Sequence, residues 1–113
     1  MPRPTPPHLE EVNAMVTFVR TIQAMPGKLV DALAAAKEMA ALVKRTTGVD
    51  VATGASFGGR FSEIAWIAHY DSIAAMEAAN DKMLADADVR AAMKKFEHLL
   101  VPGAGRDRIW RHV

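Results

Sequence analysis

Gly58-Gly59-Arg60-Phe61-Ser62-Glu63-Ile64-Ala65-Trp66-Ile67-Ala68-His69-Tyr70-Asp71 is the stretch whose reading decides the fold. The glycine pair suits a two-residue hairpin turn, because glycine reaches positive φ without steric cost. A strand follows over residues 60–70, and Asp71 has the side chain of a helix cap. Neither face of that strand suits water: one alternation is Ile64, Trp66, Ala68 and Tyr70, the other Glu63, Ala65, Ile67 and His69. A strand apolar on both sides is one that is covered on both sides.

Working outward, residues 49–57 alternate as Val49, Val51, Thr53, Ala55 and Phe57 against Asp50, Ala52, Gly54 and Ser56, a less buried strand paired through the glycines. Residues 14–23 form another, with Val16, Phe18 and Ile22 on one face, interrupted by Arg20, and Met15, Thr17, Val19 and Thr21 on the other. Between these two, Pro26 stands near the start of a helix over residues 28–45, striped by Leu29, Leu33, Ala36, Met39, Ala40 and Val43, with Gly48 as its stop. Beyond Asp71-Ser72, a second helix carries Ile73, Met76, Asn80, Met83 and Leu84 on one stripe. The pattern restarts at Asp86-Ala87-Asp88 for a third helix with Val89, Ala92, Met93, Phe96, Leu99 and Leu100. Pro102-Gly103-Ala104-Gly105 breaks it, and residues 106–113 give a last strand with Ile109 and Trp110.

The order β-α-β-β-α(α)-β is the ferredoxin-like split βαβ arrangement, an α+β domain spanning residues 14–113. Residues 1–13, with four prolines in the first seven positions, read as a flexible proline-rich tail. Both helical regions fall on one face of a four-stranded antiparallel sheet. The other face is then bare, and an apolar patch of that size marks an interface. A twofold homodimer of sheets packed face to face is the simplest cover.

Composition narrows the function classes. In 113 residues, half hydrophobic, 14 basic groups meet 13 acidic ones, so no long-range field for nucleic acid follows. Cysteine is absent, which removes disulfides and thiolate chemistry. No apolar run approaches the roughly 20 residues of a membrane span, and the first residues lack the apolar core of a secretory signal. A soluble cytoplasmic protein is expected, with no membrane or nucleic-acid partner. The four histidines show no i, i+3 or i, i+4 pairing, so no metal is expected. Gly54, Gly58 and Gly59 precede a strand rather than a helix and form no phosphate loop. Lys94, Lys95 and His98 read as a solvated face, and Arg60, Arg106, Arg108 and Arg111 as scattered strand-end charges.

Pro26-Gly27-Lys28, Gly59-Arg60-Phe61-Ser62-Glu63-Ile64 and Tyr70-Asp71-Ser72-Ile73 together resemble the NIPSNAP-like branch of the dimeric α/β-barrel superfamily, over residues 15–100. Trp66-Ile67-Ala68 stands where that branch has His-Leu-Trp. The resemblance implies a homodimer with a central barrel and small-molecule pockets between each sheet and its helices. It also implies a range of activities that includes cofactor-free oxygenases, haem-degrading enzymes and isomerases. The haem-degrading and quinone-forming monooxygenases of the superfamily use an Asn on the first strand, a Trp on the third and a polar group on the next helix. Here Trp66 matches, Asn13 precedes the strand, and no His follows Asp71 in the helix.

The candidate catalytic residues are His69, a general base near neutral pH, and Glu63, a carboxylate on a doubly covered strand. Glu63 reads either as an acid/base or as half of a structural bridge to Arg20. Arg20, Trp66, Tyr70 and Asn80 are the candidate substrate-binding residues. The expected function is binding of a small hydrophobic or aromatic metabolite, with cofactor-independent turnover as its enzymatic form. A non-enzymatic dimerisation module is the alternative, and haem or quinone chemistry the weaker one.

Overall fold

The computed structural model describes residues 15–58 and 61–113. The proline-rich segment, Asn13, Gly59 and Arg60 lie outside the described residues. The elements run β1 (Val16–Gln23), α1 (Leu29–Thr47), β2 (Val51–Ala55), β3 (Glu63–Tyr70), α2 (Ile73–Ala85), α3 (Ala87–Glu97) and β4 (Arg106–Arg111). The strands form one antiparallel sheet in the order β2-β3-β1-β4. This is the ferredoxin-like α+β arrangement, with its second helical region in two pieces.

Each boundary has a local cause. Met25-Pro26-Gly27-Lys28 closes a tight turn: Gly27 takes φ 77° and the Lys28 N–H donates to the Met25 carbonyl at 2.9 Å. Pro26 therefore occupies the turn rather than the first helical position. Gly48, at φ 78°, ends α1 in the left-handed conformation. The cap of α2 is Ser72, not Asp71: its Oγ accepts from the Ala75 N–H at 3.0 Å. Asp86 ends α2 and starts α3, accepting from the N–H groups of Asp88 and Val89, and the Arg45 guanidinium of α1 reaches the same carboxylate at 3.3 Å. The break expected at that position is a double-ended cap.

The link between β2 and β3 is longer than a two-residue turn. Pairing ends at Ala55 and resumes at Glu63, with a final bond from the Ser56 N–H to the Glu63 carbonyl at 2.9 Å. Ser62 enters β3 at φ 58°, and the Ser56 hydroxyl donates to the Gly58 carbonyl, so the loop is tied by serines as well as glycines.

Strand parity sorts the side chains. On the helix side lie Val16, Phe18, Arg20 and Ile22 of β1 with Ile64, Trp66, Ala68 and Tyr70 of β3. Ile22, Ile64, Ala32, Ala36 and Phe96 form one core cluster beneath α1 and α3. Val16, Ala68, Tyr70 and Ala79 form a second beneath α2. Ala32 and Ala36 are fully buried, so at these two positions α1 approaches the core on methyl groups, with Met39 and Val43 buried further along. Burying Ile64 completely contributes about 2 kcal/mol.

The other side of the sheet carries no layer among the described residues. Its centre is Val19, Thr21, Ala65, Ile67, Ala52 and Gly54, a low and mostly apolar surface, with Arg106, Arg108 and Trp110 along β4. Trp110 is 56 % exposed there, and every residue of β4 is exposed.

Candidate functional site

A cleft of about 280 Å³ opens between the helix side of the sheet and α2. Phe18, Trp66, Ala68 and Tyr70 make its floor, Met76, Glu77, Asn80 and Met83 its roof, and Val43 of α1 closes one end. Arg20 and Asp107 form the polar corner.

Register builds that corner. Arg20 lies opposite Trp66 of β3 on one side and Asp107 of β4 on the other. Its Nε donates to Asp107 Oδ1 at 2.7 Å and its Nη2 to Oδ2 at 3.0 Å, a two-pronged pair that fixes the guanidinium plane. The guanidinium carbon also stands 5.3 Å from the centre of the Phe18 ring, which places the cation over an aromatic face. The Asp107 hydrogen bond pushes the Arg20 pKa up, and its partner holds the Asp107 carboxyl below the usual carboxylate range. The expected bridge from Arg20 to Glu63 does not form: Glu63 lies opposite Gln23, on the other face of the sheet.

Tyr70 is 7 % exposed, and burial raises its phenol pKa while the nearby charge of Arg20 draws it back. At neutral pH it is therefore a hydroxyl donor. Among the described residues its oxygen accepts no hydrogen bond and donates none. Trp66 stacks against Phe96 with ring centres 5.8 Å apart, and its buried indole N–H has no acceptor among the described residues. Asn80 reaches the cleft from the exposed side of α2, while the buried stripe of that helix runs through Ala79 with Ala75 and Met76 half-buried.

The four residues expected to bind substrate thus line one cleft. His69 and Glu63 point from the opposite face of β3. There the Thr17 hydroxyl joins two rings, His69 Nδ1 at 2.8 Å and His112 Nε2 at 2.7 Å. One hydroxyl has one proton, so at least one ring nitrogen donates.

Two lining groups, Asp107 and Glu77, escape the sequence reading. Asp107 stands within Arg106-Asp107-Arg108, which reads as alternating surface charge, and only register shows its partner. Glu77 lies one position past the α2 stripe and gives no signal of its own.

No family model matches the chain, and no curated protein matches it in sequence. Solved structures do match in fold. A NIPSNAP family protein of unknown function from Agrobacterium tumefaciens superposes with a TM-score of 0.75 at 19% identity, over 88% of each chain. An uncharacterised NIPSNAP-like domain protein from Burkholderia xenovorans gives 0.74 at 13% identity, over 86% of this chain and 84% of that one. SnoaB from Streptomyces nogalater, a cofactor-independent oxygenase, gives 0.64 at 16% identity, over 86% and 91%. The chain has the fold of these proteins.

Proposed function

We propose that the chain is a homodimeric small-molecule-binding protein that takes its ligand in the cleft between β1, β3 and α2. The observation that carries this reading is the cleft itself. Phe18, Met76 and Met83 line it without filling it, and the polar groups Arg20, Asp107, Tyr70 and Asn80 converge on it. A pure dimerisation module has no use for such a space, and apolar walls with a few placed polar groups are what ligand sites have.

The dimer half of the reading rests on the uncovered face, where Val19, Ala65 and Ile67 sit beside a 56 % exposed Trp110. A second copy laid across it buries these side chains and covers β4. In that assembly His69, Thr17, His112 and Glu63 lie between the two sheets, and His69 and Glu63 remain the proton-transfer candidates of that space. Turnover in the cleft, by contrast, falls to Tyr70 and Glu77. Oxygenation without a resident cofactor is the activity of SnoaB, and the shared fold makes it the enzymatic form to assay first.

Native mass spectrometry of protein purified without detergent tests both halves. A dimer that releases a small apolar molecule on denaturation is expected. A monomer with an empty cleft that also takes up no aromatic compound at high micromolar concentration overturns the proposal.

A further inference from the structure

The proposed ligand site has an excess of hydrogen-bond donors and no excess of positive charge. Arg20 has five N–H groups, and Asp107 accepts two of them. The other three have no acceptor among the described residues, and neither has the Tyr70 hydroxyl or the Trp66 indole N–H. Arg20 and Tyr70 line the same cleft, whereas the Trp66 indole N–H is buried and not open to it. The guanidinium lies over Phe18, which is two positions along β1 from the residue opposite Tyr70, and its charge is felt at the phenol.

The charge balance runs the other way. Asp107 cancels Arg20, and Glu77 adds a carboxylate to the roof. A ligand bringing its own negative charge would meet two carboxylates and one guanidinium already committed to one of them. A neutral oxygen acceptor can take the free donors of Arg20 and Tyr70 without bringing a net charge against those carboxylates. We infer that the cleft selects neutral, one- or two-ring carbonyl compounds over the corresponding carboxylic acids, seating the carbonyl oxygen between the unpaired edge of Arg20 and the Tyr70 hydroxyl, and that Asp107 sets this selection by holding the guanidinium charge neutralised.

The size follows from the volume: about 280 Å³ is at the lower end of ligand pockets, enough for a bicyclic body and too little for an extended polycycle. The apolar body lies along Phe18, Ala68, Met76 and Met83.

The inference rests on the cleft being a ligand site, and three matched compounds separate the two claims. Equilibrium dialysis against 2-acetylnaphthalene, 2-naphthoate and 2-ethylnaphthalene compares a carbonyl, a carboxylate and a hydrocarbon on one ring system. The ketone is expected to bind about tenfold or more tightly than either of the others, the size of effect one hydrogen bond to a charged group produces. Equal binding of all three, or preference for the naphthoate, overturns the inference but leaves the cleft a binding site. Binding of none overturns both.

Asp107→Asn supplies the second arm. It exposes the guanidinium charge, and the preference is expected to turn toward the naphthoate by about tenfold. Tyr70→Phe is expected to weaken the ketone several-fold and leave 2-ethylnaphthalene unchanged. Circular dichroism of each variant establishes that it is folded. If Asp107→Asn folds and keeps the ketone preference of the parent, Asp107 does not set the selection and the inference fails.

Discussion

Tyr70 is the only tyrosine in the chain, so its ionisation can be followed without interference. Burial raises its pKa above the ordinary 10.0 and Arg20 partly opposes that rise. Alkaline titration of the near-UV absorbance should place the phenol above its ordinary value, and Arg20→Met should move it higher still. A raised pKa in the folded state gives stability that is present below pH 10.0 and lost as pH climbs through the folded value, so Tyr70→Phe should flatten the alkaline loss. The acid side has the opposite sign. Asp107 is held below its ordinary 3.8, first by the hydrogen bond from Arg20. Its contribution is present above 3.8 and disappears as pH falls through the lower folded value. Denaturant midpoints measured below about pH 4 should fall less steeply for Asp107→Asn than for the parent. With both partners nearly half exposed, the difference is a modest one.

Among the elements, α2 depends on a cap and α1 on close approach. Ser72→Ala removes the acceptor of the Ala75 N–H and should cost about 1 kcal/mol in chemical denaturation. Ala36→Leu pushes α1 away from Ile64 and should cost about 1–3 kcal/mol. The helices were readable from their stripes and punctuation, because Gly48, Asp86 and the turn at Pro26-Gly27 act within a few residues of where they stand. The hairpin was less so: Gly58-Gly59 suggests the shortest loop, yet pairing stops at Ala55, since serine side chains can also satisfy loop backbone groups. Which face of β3 meets the helices was not readable from β3 itself. Both alternations are apolar, so the choice falls to what packs against them, and His69 and Glu63 went to one side while Trp66 and Tyr70 went to the other. The Arg20–Asp107 pair lay beyond reach for a related reason. It joins positions 87 apart, through a register that no local pattern encodes.

For the whole molecule, the β-α-β-β-α(α)-β order was legible, and with it the sheet face that carries no layer among the described residues. Sedimentation velocity at micromolar concentration should show a dimer of the 12.3 kDa chain. Ile67→Lys, which puts a cation at the centre of the uncovered face opposite Val19, should give a monomer that keeps its helical circular dichroism. A parent protein that sediments as a monomer would show that the face tolerates water.

Asp107 belongs to β4, an edge strand exposed along its whole length and paired only to β1. Fraying of that strand withdraws the carboxylate and leaves the guanidinium with its full charge. Ligand identity and the opening of one margin of the sheet are therefore terms in a single cycle. A bound ketone should slow amide exchange across residues 106–111, and an acid should hasten it, each by its own preference for the closed or the open strand.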